Sequence, residues 1–126
     1  MAPRIRVLLV DDSAEFAETA RAVLAADDRI EVVGVAGDGA QGVSLAERLQ
    51  PDLVLMDVEM PRVDGVEATR ALRARCPGAR VVMLTGRHER ADEVHSGDAG
   101  AVGFVHKERL GSPQLADELL ALVALS

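Results

Sequence analysis

Short apolar runs alternate along this chain with apolar residues spaced three and four apart. Residues 4–10 carry Ile5, Val7, Leu8, Leu9 and Val10 almost without a break and stop at Asp11-Asp12. A run this dense in aliphatic and β-branched residues reads as a strand covered on both faces. Ser13 then stands where a helix cap belongs, followed by Phe16, Ala20, Val23 and Leu24 as one apolar stripe. Residues 30–36 repeat the strand signal, and Gly37-Asp38-Gly39 turns the chain into a helix with Leu45, Ala46 and Leu49 inward. Pro51 ends it. Residues 53–56 predict a third strand, again closed by an acid, Asp57. Pro61 and Asp64-Gly65 punctuate a loop, after which Ala68, Leu72 and Cys76 mark the buried side of a helix that stops at Pro77-Gly78. Residues 81–84 form a fourth strand ending in Thr85, and residues 102–105 a fifth, followed by His106 and Lys107. Between them, residues 87–99 offer only Ala91, Val94 and Ala99 as apolar positions, with Gly97 interrupting, so the fourth helix is expected to be short or partly unwound. Ser112-Pro113 opens the last helix in the favoured order, with Leu115, Leu119, Leu122 and Val123 as its stripe.

Five strands alternating with five helices predict an α/β fold, a doubly wound parallel sheet with helices on both faces. No repeat, low-complexity tract or linker interrupts the 126 residues, which are expected to form one domain, 1–126. Hydrophobic residues make up 48%, enough for a core, but Trp and Tyr are absent and Phe16 and Phe104 are the only aromatics. The interior must therefore be aliphatic. Cys76 is the single cysteine, so the chain has no internal disulfide, and its place on a helix beside apolar residues suits a packed thiol better than a nucleophile. A net charge of −7 argues against a basic face, and so against direct nucleic-acid binding. With no apolar span long enough for a membrane and no signal-peptide pattern, a cytoplasmic location is expected.

Chemistry belongs at the carboxyl ends of the strands, where open parallel sheets bind their ligands. Those ends carry Asp11, Asp12, Asp57, Thr85 and Lys107. Taken singly, the aspartates are ordinary caps or loop acids. Gathered in one crevice they repel one another, and a hard divalent cation such as Mg²⁺ is the simplest remedy. Lys107 is the only lysine against thirteen arginines. Its position calls for a compact ammonium on a flexible stem rather than a planar guanidinium.

With these residues in view the chain resembles the receiver domain of bacterial response regulators, over essentially its whole length. The matching pieces are Val-Leu-Leu-Val-Asp-Asp-Ser (7–13), Pro-Asp-Leu-Val-Leu-Met-Asp-Val-Glu-Met-Pro (51–61), Asp-Gly (64–65), Val-Met-Leu-Thr-Gly (82–86) and Gly-Ala-Val-Gly-Phe-Val-His-Lys (100–107). The resemblance implies a flavodoxin-like sheet of order 2-1-3-4-5 and a signalling role rather than an enzyme's. It implies that Asp57 accepts a phosphoryl group from a sensor histidine kinase or a phosphotransfer protein. Mg²⁺ would be held by Asp12, Asp57 and the backbone carbonyl of Glu59, with Asp11 acting through water. Lys107 and Thr85 would each contact a phosphoryl oxygen. Thr85 and Phe104 would form a switch acting on the face made by the fourth helix, fifth strand and fifth helix. Homodimerisation on phosphorylation is a further expectation, and the chain is either a stand-alone receiver or a piece of a longer regulator with a DNA-binding domain beyond its C-terminus.

Two departures matter. Many receivers have a cis proline after the lysine; here Glu108 follows, a variant found in receivers of LuxR-type regulators. Glu59 and Arg87 each lie two residues past a site residue, where they can tune phosphoryl lifetime. Two other readings stay open. A phosphatase with an aspartate nucleophile would need two acids spaced by one residue after the first strand, whereas Asp11 and Asp12 are adjacent. An interaction module that is never phosphorylated would be expected to have lost the acids or the lysine.

Overall fold

The structure, a computed structural model, describes residues 4–57, 65–86, 100–112 and 114–125. The elements are β1 (Ile5–Val10), α1 (Ala14–Ala25), β2 (Ile30–Ala36), α2 (Gly39–Leu49), β3 (Leu53–Asp57), α3 (Gly65–Arg75), β4 (Arg80–Thr85) and β5 (Gly103–His106). A 3₁₀ turn (Lys107–Gly111) and α4 (Leu115–Leu125) follow. All strand pairs are parallel, in one sheet of order β2-β1-β3-β4-β5. The helix expected over 87–99 lies outside the described residues, as do Glu59, Pro61, Asp64, Arg87, His88, His95 and Pro113.

Side chains alternate across the strands and so build two cores. Leu8, Val10, Val54, Met56, Val81 and Met83 face α2 and α3, meeting Val43, Ala46, Ala68, Leu72 and Cys76. Val7, Leu9, Leu53, Leu55, Val82, Leu84 and Val105 face α1 and α4, meeting Ala20, Leu24, Leu115 and Leu119. Each fully buried Leu or Val contributes about 1.5–3 kcal/mol of burial free energy, which makes the two aliphatic layers the main stabilising term. Cys76 is part of the first layer, and burial pushes its thiol pKa up, as befits a packed rather than a reactive cysteine.

Local chemistry sets the helix ends. The Ser13 hydroxyl oxygen accepts from the Phe16 N–H at 3.2 Å, and the Asp38 carboxylate from the Gln41 N–H at 2.8 Å. Gln50 closes α2 in the left-handed region, at φ 52°, with its N–H donated to the Ala46 carbonyl. Pro51 therefore follows a helix that has already ended.

One expectation needs correcting. Val23 is not in the buried stripe of α1: it is 38% exposed, and Ala17 takes the inward position with Ala20 and Leu24. The helix is turned so that its small residues meet the sheet and Phe16 sits on the flank. Between β5 and the last helix the structure adds an element that the apolar pattern does not mark. Residues 107–111 coil into a 3₁₀ turn that buries Leu110, a short apolar anchor in a polar stretch. Among the described residues no helix is long and apolar enough to cross a membrane.

Candidate functional site at the carboxyl edge of the sheet

Strand register alone brings the polar strand ends together. Val10 pairs with Met56, so Asp11 lies beside Asp57. Asp57 pairs with Leu84, which places Thr85 one step beyond it. Thr85 pairs with His106, so Lys107 follows at the same rim. Period-two alternation then divides the group. Asp11, Asp57 and Lys107 continue the parity of Leu9, Leu55 and Val105, the side covered by α1 and α4. Thr85 shares the parity of Val81 and Met83, and Phe104 packs against that opposite layer.

Asp11 and Asp57 are buried, each 3% exposed, while Asp12 is open to solvent. One carboxylate oxygen from each of the three lies within 4.8 Å of the others. Asp11 Oδ1 accepts from the Ser13 N–H at 2.8 Å, which fixes the carboxylate. Its Oδ2 is buried and lies 2.8 Å from Lys107 Nζ, an ion pair whose geometry does not make a hydrogen bond. The same ammonium is 3.5 Å from Asp57 Oδ2. Partial burial disfavours its charge, but the two carboxylates outweigh that and hold the Lys107 pKa above the ordinary lysine value. The ammonium also lies over an aromatic ring, with Nζ 4.4 Å from the Phe16 centroid.

The carboxylate group fits a small hard cation. Ligand oxygens around Mg²⁺ stand roughly 3 Å apart in cis and about 4.2 Å in trans, given Mg–O distances of about 2.1 Å. Asp11, Asp12 and Asp57 offer only oxygen donors and need to close by little to meet that spacing. The exposure of Asp12 leaves a side for water ligands. Thr85 is fully buried at the end of β4. Phe104 is half-buried, its ring edge-on to His106 at 5.8 Å. The peptide after Lys107 is trans.

Of the expected site residues, the structure brings Asp11, Asp12, Asp57 and Lys107 into one cluster and puts Thr85 in the adjoining register position. Glu59, with its carbonyl, and Arg87 lie outside the described residues. Phe16 was read from the sequence only as part of a core stripe; its approach to Lys107 is a tertiary contact that periodicity cannot show. A separate cavity of about 430 Å³ lies between the end of α1, the start of β2 and α4, lined by Leu24, Ile30, Leu110 and Leu115. It is largely aliphatic, and its Asp27 carboxylate is tied to Arg29 at 2.7 Å, so it has little chemistry to offer a phosphate.

A doubly wound parallel sheet of order 2-1-3-4-5, with an acidic crevice bridged by a lysine at its carboxyl edge, defines a flavodoxin-like fold. The chain belongs to the response regulator receiver domain family, whose sequence model matches residues 7–119. Receiver domains are the phosphoryl-accepting modules of two-component signalling, and aspartyl phosphorylation is the family's general function. Among curated relatives, protein-glutamate methylesterase/protein-glutamine glutaminase 1 of Geobacter sulfurreducens is 44% identical over 105 residues, covering 82% of this chain and 29% of that protein. The transcriptional regulatory protein DegU of Brevibacillus brevis is 38% identical over 105 residues, covering 83% and 44%. Among solved structures, the response regulator domain of Thermotoga maritima CheB has a TM-score of 0.82 at 32% identity, covering 97% of this chain and 95% of that one. A LuxR-family two-component response regulator from Aurantimonas reaches 0.89 at 30% identity, covering 96% and 86%. The chain spans about a third of the length of the methylesterase relatives.

Proposed function

We propose that Asp57 is the phosphoryl acceptor of this receiver, with Asp11, Asp12 and Asp57 holding Mg²⁺ and Lys107 and Thr85 contacting phosphoryl oxygens. The observation that carries the reading is the Lys107 ammonium lying between the buried Asp11 and Asp57 carboxylates, 2.8 and 3.5 Å away, with Asp12 completing an all-oxygen cluster. Bound there, Mg²⁺ would supply charge neutralisation for an anion entering an acidic crevice. A carboxylate oxygen of Asp57 attacks the phosphorus of a phosphohistidine on a kinase or phosphotransfer protein. The P–N bond breaks, its electron pair stays on the imidazole, and that nitrogen takes up a proton. Lys107 is already within reach of the attacked group and offers a movable point charge. The Glu59 carbonyl is the proposed fourth metal contact.

Thr85 and Phe104, on the opposite face from the lysine, are the proposed switch: capture of the Thr85 hydroxyl by the phosphoryl group lets the half-buried Phe104 ring turn inward and reshapes the face of β5 and α4. Dimerisation on phosphorylation would read out that change. The domain itself is a signalling module that catalyses only its own phosphorylation and dephosphorylation, in the cytoplasm, and 1–126 forms one receiver domain. Its relatives carry two kinds of output, transcriptional regulation and protein-glutamate methylesterase activity. The LuxR-family neighbour and the acid following Lys107 favour coupling to a DNA-binding domain.

The test is intact mass after incubation with acetyl phosphate and Mg²⁺. The wild type gains one phosphoryl group, and Asp57→Asn gains none. Equal labelling of the two proteins would remove Asp57 from this role.

A further inference from the structure

The Lys107 ammonium has an aromatic neighbour as well as acidic ones. Asp11 and Asp57 lie 2.8 and 3.5 Å from Nζ, and Nζ also sits over the Phe16 ring, 4.4 Å from its centroid. That separation is inside the roughly 6 Å range over which a ring quadrupole attracts a cation. We propose that Phe16 is a positioning residue for phosphoryl transfer: its ring holds the Lys107 ammonium over the crevice, where it can meet the incoming phosphoryl oxygens. The proposal rests on the role given above to Lys107.

Three observations support this. The ring is placed by α1 itself, because the Phe16 N–H is donated to the capping Ser13 hydroxyl and helical side chains lean toward the N-terminus. From the first turn of α1 that lean carries the ring toward the carboxyl edge of the sheet. The chain also uses aromatic residues nowhere but at Phe16 and Phe104, filling both cores with aliphatic side chains. A half-buried flank of α1 needs no aromatic for packing, and leucine would cover it as well. Finally, the lysine stem is flexible, and two carboxylates at unequal distances do not alone define where its ammonium rests. The Phe16 ring supplies a third contact.

Lys107 is the only lysine in the chain, so protein labelled with ¹³C-lysine gives one set of side-chain signals. In the wild type the Lys107 Cε protons are expected upfield of free lysine, shifted by the ring. In Phe16→Leu they return to the free-lysine position, and the rate of phosphorylation by acetyl phosphate at saturating Mg²⁺ falls about three- to tenfold. Phe16→Trp, which keeps a π face, restores both the shift and the rate, and decides the matter by itself where the leucine variant folds poorly. Identical Lys107 signals in wild type and Phe16→Leu, or a wild-type rate in Phe16→Leu, would overturn the proposal. So would Phe16→Trp failing to keep the shift. Lys107→Met serves as the separate control: wild-type phosphorylation in that variant would overturn the role of the lysine itself, whatever Phe16 does.

Discussion

Lys107 shows how a single side chain records its surroundings. Burial works against its charge, the Asp11 and Asp57 carboxylates work for it, and the balance leaves its pKa raised. A cation whose folded pKa exceeds its unfolded value stabilises the fold fully below the unfolded value and loses that contribution as pH rises through the folded one. The window therefore opens above about 10.4, the ordinary lysine value. Urea midpoints measured from neutral pH to that alkaline range are expected to fall in the wild type, with this component missing in Lys107→Met. Parallel curves for the two proteins would show that the ion pairs with Asp11 and Asp57 do not stabilise the fold. Arginine would not serve here in the same way, since its pKa lies beyond this range and its planar fork prefers bidentate partners.

The helices depend on close approach as much as on apolar stripes. Gly42 brings α2 so near β1 that a Cβ there would lie 2.8 Å from one Val10 methyl and 3.0 Å from the other. Val10 is fully buried and β-branched, so it has little freedom to yield. Gly42→Ala gains about 1 kcal/mol of helix propensity but incurs an overpacking penalty of about 1–3 kcal/mol. The expected result is a net loss of about 1 kcal/mol in urea unfolding, whereas Gly78→Ala, which meets nothing within 4 Å, is neutral or slightly stabilising. A more stable Gly42→Ala would mean that α2 shifts outward freely. At the other end of the molecule, Arg29 joins Asp27 and Asp117 at 2.7 and 2.8 Å, pinning the turn before β2 to the start of α4. These pairs are exposed and contribute little individually.

For the molecule as a whole, the proposed cation would link site and fold. An ion that binds only the folded chain stabilises it by mass action, by about 2.7 kcal/mol when present at about 100 times its Kd. Mg²⁺ is therefore expected to raise the Tm by several degrees, and Asp12→Ala to remove most of that rise. Asp12 is exposed and its carboxylate repels Asp11 and Asp57, so its loss should leave the metal-free Tm unchanged or slightly higher. An equal Mg²⁺ response in both proteins would place the ion elsewhere. The cluster of Asp11, Asp12 and Asp57 exists because three separate segments end at one rim, which is a property of strand order and not of any one loop.

Much of this was already written along the chain. Near-continuous apolar runs alternating with helical stripes specify covered parallel strands, and acids placed just after those runs gather at one rim of the sheet, because hydrophobic periodicity and strand direction are local properties. The resemblance to receivers supplied the strand order and the role proposed for Asp57. Other features are set by contacts between residues far apart in sequence. The rotation of α1 that turns Val23 outward and Ala17 inward depends on how much room the sheet leaves. The 3₁₀ turn after β5 depends on Leu110 finding a core to enter. The Phe16–Lys107 contact joins residues on different elements whose approach is decided by packing and register, and no spacing along one element encodes it.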